Sequence, residues 1–134
     1  MVAQTLFELA GGSVAIRRIT GAFYERVFTD PLLAPLFRDP GDDHAERLAM
    51  WLTELLGGPA EHTASRGGFV VMRGAHVGLR ISNEQRQRWA ALMFEACRDA
   101  GMDDAFMRRF LPYVEGGSTL AQRVSWPGDE RGPR

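Results

Sequence analysis

The three histidines of this 134-residue chain are the side chains best suited to binding a metal. They are His44, His62 and His76, and no two are four residues apart, the spacing that puts two imidazoles on one helical face. The single cysteine, Cys97, excludes a cluster of thiolate ligands and an intramolecular disulfide. The sequence therefore favours a single axial imidazole over a metal site with several ligands.

His76 follows a glycine-rich stretch and has apolar neighbours in Met72, Val77 and Leu79. One interpretation is a partly buried histidine whose ring bonds to a backbone carbonyl. The other is an axial ligand of haem iron, because one neutral imidazole leaves the opposite side of the iron open to a diatomic gas. Residue type alone leaves both interpretations open.

Three further side chains can donate hydrogen bonds from mainly apolar helical faces. Tyr24, His44 and Trp89 each fall on or beside an apolar stripe, where they are candidates for the polar groups of a ligand pocket. Taken singly, Trp89 is better explained as a core residue, Tyr24 as a core residue with its hydroxyl at the rim, and His44 as an exposed residue at a helix start.

Apolar residues at three- and four-residue steps predict four main helices that position these groups. The first follows Gly11–Ser13, and a short turn begins at Asp30-Pro31 and ends at residues 39–41. A capping box of Asp43 and Glu46 is expected to start the second helix, which stops at residues 57–59.

The second half of the chain is predicted to begin with a long loop over residues 60–81, which is rich in glycine and poor in periodicity. Ser82 and Gln85 have the spacing of a capping box for the third helix. The fourth helix is expected to start at Asp103 and to carry Tyr113 on its apolar stripe. We expect one domain over residues 1–125 and a disordered polar tail over residues 126–134.

Charge and missing motifs exclude several classes of function. With 16 basic and 17 acidic residues, the chain has no strong positive field to attract nucleic acid or anionic lipid. Neither a signal peptide nor an apolar run long enough to cross a bilayer is recognisable, and the lone cysteine suits a reducing cytoplasm. Phosphate-binding loops, dinucleotide fingerprints and nucleophile elbows are also absent.

From about residue 6 to residue 124 the motifs resemble those of the truncated haemoglobins. They are Phe23-Tyr24, the Asp-Pro-Leu-Leu-Ala-Pro-Leu-Phe run at 30–37, Glu-Arg-Leu at 46–48, Gly-Gly-Pro at 57–59, His76, and Trp89 thirteen positions later. Trp89 and the Gly-Gly-Pro stop are most similar to the second subgroup. The resemblance implies an all-α, globin-like fold, shortened to a two-over-two helical sandwich that encloses haem b.

The resemblance also implies roles for individual residues. His76 becomes the proximal iron ligand, and Tyr24, His44 and Trp89 become the catalytic or ligand-contacting groups of the distal wall. Arg47 and Arg80 are candidates for pairing with the haem propionates. The remaining candidates, at distal or haem-lining positions, are Phe23, Phe37, Leu48, Trp51, Leu52, Met72, Ala75, Leu79 and Ile81.

Three departures from the subgroup's pattern bear on these roles. Phe37 stands where tyrosine is frequent, and His44 where a small residue is usual, so one polar donor is lost and another gained. Gly68-Phe69 replaces a frequent His-Pro pair, which leaves the path of the loop open. His44 either donates to a bound ligand or binds iron as a sixth ligand, and the sequence does not decide between the two.

The implied function is binding of oxygen, nitric oxide or carbon monoxide at a pentacoordinate iron, with strong hydrogen bonding from Tyr24 and Trp89. Such retention favours scavenging, sensing or redox chemistry over delivery. The alternative is a haem enzyme, a nitric oxide dioxygenase or a peroxidase, served by an unknown reductase. A cofactor-free helical interaction module is a remote alternative. We expect a cytoplasmic monomer or homodimer that binds neither nucleic acid nor membrane.

Overall fold

The computed structural model describes residues 4–37 and 43–126, and every regular element in these ranges is helical. This confirms the all-α class, and the four longest helices (α2, α3, α6 and α7) confirm the four that were predicted. One 3₁₀ turn, at Ala34–Leu36, lies between the second and third helices. The α-helices are α1 (Leu6–Ala10), α2 (Ser13–Thr29), α3 (His44–Leu55), α4 (Glu61–Arg66), α5 (Gly68–His76), α6 (Asn83–Asp99) and α7 (Asp104–Val124).

The core is built around α2, which packs against α3 on one side and α6 on the other, while α6 also packs against α7. The predicted stripe of α2 (Ile16, Ile19, Phe23 and Val27) is at most 1% exposed. Burial of each such side chain contributes about 1.5–3 kcal/mol to folding. These helices therefore form the packed core of the described fold.

The start of α6 agrees with the sequence prediction, whereas the start of α3 does not. The Gln85 amide donates to Ser82 Oγ at 3.1 Å, and the Ser82 amide donates to Gln85 Oε1 at 2.9 Å, which is a complete capping box. Asp43 precedes α3 without making any such cap. Its carboxylate lies 3.1 Å from Arg47 and 2.6 Å from Arg66 instead.

The second member of the predicted capping box at α3 is also occupied elsewhere. Glu46 accepts two hydrogen bonds from Arg17 of α2, from Nε at 3.0 Å and from Nη2 at 2.6 Å. This ion pair holds the pKa of Glu46 below its usual value, because the charged carboxylate accepts both bonds. The prediction of a capping box was wrong because arginines distant in sequence compete for both carboxylates.

The long loop predicted over residues 60–81 is also wrong, because α4 and α5 occupy most of it. Gly67, at φ +94°, ends α4 in the left-handed region that glycine tolerates, and α5 begins with the next residue. Gly74 lies inside α5 with ordinary helical geometry. Glycine content therefore misled the prediction, since only some of these glycines break a helix.

Two residues in the C-terminal part of the chain, Tyr113 and Trp126, differ from expectation. Tyr113 is 40% exposed, so the buried face of α7 is formed by Phe106, Phe110 and Val114. Trp126, expected to begin a frayed tail, donates a hydrogen bond from Nε1 to the Ile81 carbonyl at 3.1 Å. The predicted turn at 39–41 and the tail at 127–134 lie outside the described residues. No helix within the described ranges has the length and apolar character needed to span a bilayer.

Candidate functional site

The structure brings the predicted distal residues together in a cluster of rings centred on Tyr24. The Tyr24 ring centroid lies 5.0 Å from that of Phe23, 5.4 Å from Phe37 and 5.9 Å from His44. Phe23 in turn meets Trp89 of α6 edge to face at 5.2 Å. Residues from α2, α3, α6 and the turn before α3 thus converge on one aromatic cluster, which we call the Tyr24 cluster.

Tyr24 occupies the centre of this cluster and is only 8% exposed. Burial raises the pKa of its hydroxyl well above the usual range, although the charge of Arg47 acts in the opposite direction. The phenol is therefore neutral across the physiological pH range. A neutral phenol keeps its proton and can donate a hydrogen bond to a ligand.

His44 is the first residue of α3 and is partly buried. Its ring is nearly parallel to that of Tyr24, at 24°, and meets Phe37 edge to face at 5.3 Å. Phe28 joins the same cluster, 5.6 Å from Tyr24 and 6.1 Å from His44, and was not among the predicted residues. Its place on α2, four residues after Tyr24, was the available signal.

His76 is the last residue of α5, and its ring is oriented by its own helix. Nδ1 lies 2.8 Å from the carbonyl oxygen of Met72, one turn earlier, so this nitrogen is the N–H donor of the ring. The lone pair of the neutral imidazole is then on Nε2. This bond satisfies one ring nitrogen and makes the other a defined ligand for a metal.

The segment that carries His76 leaves several large apolar side chains exposed. α5 packs chiefly on α4 and α7. Phe69 is 49% exposed and Val71 51%, while Met72 and Leu79 are partly buried. Large apolar side chains seldom stay exposed together unless something covers them.

The other predicted haem-contacting residues differ widely in burial. Leu52 and Ile81 are buried, at 5% and 9% exposure, whereas Ala75, Arg47 and Arg80 are exposed. The partly buried members are Phe37, Leu48, Trp51, Met72, Leu79 and Trp89. A flat, apolar, iron-bearing group suits this donor set, since it needs one imidazole with a defined free nitrogen and incompletely buried apolar side chains to cover it.

One notable residue, His62 of α4, had no role in the sequence prediction. It is 5% exposed, and its ring meets Trp51 edge to face at 5.1 Å. Among the described residues, its Nδ1 is buried without a hydrogen-bond partner. Burial lowers the pKa of His62, against the opposing charge of Glu54, so the ring is neutral near pH 7. The stretch was predicted as a loop, which left no reason to expect a buried histidine.

Comparison with known proteins agrees with this geometry. The model of the bacterial-like globins matches residues 5–116. A group 2 truncated haemoglobin of Bacillus subtilis is 32% identical over 100 residues, which cover 75% of this chain and 74% of that protein. The fold is similar to the crystal structure of the group II truncated haemoglobin of Bacillus anthracis, with a TM-score of 0.80 and 27% identity. The match covers 100% of this chain and 96% of the Bacillus anthracis chain.

A second similar structure is described as a truncated oxygen-avid haemoglobin of Bacillus subtilis and has a TM-score of 0.77 and 28% identity. This match covers 88% of the chain and 98% of the Bacillus subtilis protein in that structure. The fold and these similarities thus define a shortened globin. The chain belongs to the bacterial-like globin family and, within it, to the second group of truncated haemoglobins. Proteins of this family bind haem and diatomic gases.

Proposed function

We propose that the chain binds haem b at His76 and holds oxygen, nitric oxide or carbon monoxide beside the Tyr24 cluster. The observation that carries this proposal is the convergence of Tyr24, His44 and Trp89, three donors from three helices, on one buried aromatic cluster. When bound, haem supplies an iron with one position open to a small gas. The remaining chemistry is done by side chains of this chain.

His76 holds the iron through Nε2 in this proposal. The hydrogen bond from Nδ1 to the Met72 carbonyl selects the tautomer and fixes the plane of the ring. Arg47 and Arg80 are exposed cations on α3 and in the connection before α6, and we assign them to the haem propionates.

Tyr24 and Trp89 hold the gas ligand. A hydrogen bond to an acceptor that carries negative charge contributes about 1.5–3 kcal/mol, so two such bonds slow ligand release strongly. Slow release is unsuited to delivery and suits scavenging, sensing or redox chemistry. The description of a similar Bacillus subtilis protein as oxygen-avid supports this choice.

Oxygen dissociation rates test the two donors. Since each hydrogen bond contributes about 1.5–3 kcal/mol, Tyr24→Phe and Trp89→Phe should each raise the rate by roughly 10- to 150-fold. Tyr113→Phe is the matched control, because it removes the same hydroxyl from the other, exposed tyrosine and should leave the rate unchanged. Unchanged rates in both test variants would remove these side chains from the mechanism.

Replacement of His76 tests the axial ligand. His76→Gly should lose the absorption signature of histidine-ligated haem, and added imidazole should restore it, because the small ligand can enter the space left by the side chain. Retention of the red colour with an unaltered ligation signature would overturn the proposal.

His44 has two roles in this site that spectroscopy separates. As a donor it leaves the iron five-coordinate, which is the form we propose. As a sixth ligand, His44 would occupy the position that the gas needs. The apparent gas affinity would then fall in proportion to the fraction of molecules in which His44 is not bound to iron. A six-coordinate, low-spin ferrous spectrum that His44→Ala abolishes would establish the second role.

A second candidate function is a haem enzyme, acting as a nitric oxide dioxygenase or a peroxidase. The observation that favours it is the His44 ring stacked on Tyr24 and partly exposed, since an imidazole there can pass a proton between solvent and the pocket. Turnover would require electrons from a reductase. Stopped-flow turnover with nitric oxide or peroxide distinguishes a catalyst from a protein that only binds the gas. The absorption spectrum of the purified protein tests the remaining alternative, because a cofactor-free interaction module would show no haem bands.

We also propose a reducing cytoplasm as the site of action. Cys97 is a buried free thiol, and burial raises its pKa to about 12, so it is unreactive near neutral pH. A monomer or homodimer without nucleic-acid or membrane partners remains our prediction.

A further inference from the structure

The connection between His76 and α6 is fastened to the C-terminal end of α7. The amides of Gly78 and Arg80 both donate to the carbonyl oxygen of Ser125, each at 3.0 Å. Ser125 is 0% exposed and follows the last residue of α7. A single buried carbonyl therefore holds two amides of the residues directly after the proposed iron ligand.

Side chains at the end of α7 and just after it complete this attachment at Ile81. Ser125 Oγ accepts from the Ile81 amide at 2.9 Å and donates to the Gln122 carbonyl at 2.6 Å. The Ile81 carbonyl accepts from Trp126 Nε1 at 3.1 Å and from Gln122 Nε2 at 3.3 Å. We call the bonds that Ser125 and Trp126 make to residues 78–81 the Ser125 latch.

The backbone that the latch holds includes, at Arg80, a conformation that L-amino acids rarely adopt. Gly78 lies at φ +86° and Arg80 at φ +52°, the only described non-glycine residue with positive φ. A residue with a side chain in this region persists only where its surroundings impose the conformation. The bonds to Ser125 and Trp126 supply that constraint.

α5 itself is less closely packed than the core helices. It packs chiefly on α4 and α7, and its large apolar residues Phe69, Val70 and Val71 are about half exposed or more. A displacement of residues 77–81 would therefore pass directly to His76.

From this arrangement we infer that the Ser125 hydroxyl and the Trp126 indole are positioning groups for the metal-binding histidine, acting on His76 through the connection of residues 77–81. The inference rests on the proposed function, in which His76 binds iron. The latch holds the residues after α5, so that the His76 ring keeps one position and orientation in which Nε2 would bind the iron of haem. Groups that orient a metal ligand typically change metal affinity 10- to 100-fold when they are lost.

Two variants test the inference in the haem-loaded full chain. Ser125→Ala removes the hydroxyl that bonds Ile81, and Trp126→Phe removes the indole N–H while keeping an aromatic ring. The matched control is Ser118→Ala in α7, the helix that Ser125 follows. Ser118 is also buried and donates to the carbonyl three residues earlier, but that partner, Glu115, belongs to α7 itself.

The first readout is the iron–histidine stretching band in the resonance Raman spectrum of the ferrous protein, together with the rate of haem loss. Both latch variants should shift or broaden the band and raise the rate of haem loss about tenfold, whereas Ser118→Ala should leave both unchanged. A band and a rate equal to those of the wild type in both latch variants would overturn the inference, as would equal changes in the control.

The second readout is amide hydrogen exchange at residues 78–81, measured with and without haem. The latch variants should exchange faster there than the wild type, and the control should not. If His76→Gly shows that another residue binds the iron, the proposed function fails and the positioning role fails with it. If His76 is the ligand but the latch variants behave like the wild type, the positioning role is overturned and the proposed function stands.

Discussion

The two sides of the proposed pocket are held in different ways. The Tyr24 cluster lies on α2, α3 and α6, whose packed faces include side chains with almost no exposure, such as Ile16 and Met93. His76 lies on α5, which keeps several apolar side chains exposed, and hydrogen bonds to Ser125 hold the connection that follows this helix. We infer that the distal wall is formed by folding itself, whereas the proximal wall is completed when the cofactor binds.

The largest expected difference between the two regions is in the cost of removing an aromatic ring. Phe110 is 1% exposed and packs on Phe106 at 5.1 Å, so Phe110→Ala should lower the free energy of unfolding by about 3–5 kcal/mol. Phe69 of α5 is 49% exposed, and Phe69→Ala should change the free energy of unfolding by roughly 0.5 kcal/mol. Urea denaturation followed by circular dichroism measures both, and similar costs would contradict the division into a packed and an open region.

Two glycines sharpen the same comparison at smaller cost. A Cβ on Gly58 would lie 2.8 Å from the Phe7 ring and from Thr53 Cγ2, so Gly58→Ala should destabilise the fold by about 1–3 kcal/mol. A Cβ on Gly74 in α5 would meet nothing within 4 Å, so Gly74→Ala should stabilise it by about 0.4–1 kcal/mol. Thermal unfolding of both variants is the measurement, and a destabilised Gly74→Ala would show that α5 is more closely packed than we infer.

The smallest expected effect is a pH dependence at the contact between α3 and α4. His62 faces Trp51 and Glu54 of α3, with the charges of Arg47 and Arg66 nearby. Burial lowers the pKa of His62 in the folded state. As the pH falls, the imidazole of His62 is therefore protonated at a higher pH in the unfolded chain than in the folded protein. The contribution of neutral His62 to the free energy of unfolding is therefore fully present above about pH 6.5, the usual pKa of histidine. Below that pH the contribution falls, by at most about 1.4 kcal/mol for each pH unit.

His62→Phe keeps a ring against Trp51 and removes the titration. Its unfolding free energy should fall less steeply than that of the wild type between about pH 6.5 and pH 5. Ser65→Ala, an exposed change on the same helix, should follow the wild-type profile. Parallel curves for His62→Phe and the wild type would show that His62 does not titrate differently on folding.

Local signals predicted most of the helices correctly. Ser82 with Gln85, and Asp103 before α7, start their helices by bonds to residues three positions away, which a sequence displays directly. Asp43 shows the limit of this reasoning, because Arg66 lies 23 residues further on and binds the carboxylate that a cap would use. Gly74 shows another limit, since a glycine within a helix and one that ends a helix look alike in sequence.

The candidate site divides in the same manner. The residue types of Tyr24, His44, His76 and Trp89, their spacing and their helical faces follow from the sequence alone, because helical periodicity is a local property. Only the tertiary structure decided that Tyr24 stacks with His44, that His62 is buried against Trp51, and that Ser125 holds the residues after His76. Contacts of this kind join residues far apart in the chain, and they form only where packed helices bring distant faces together.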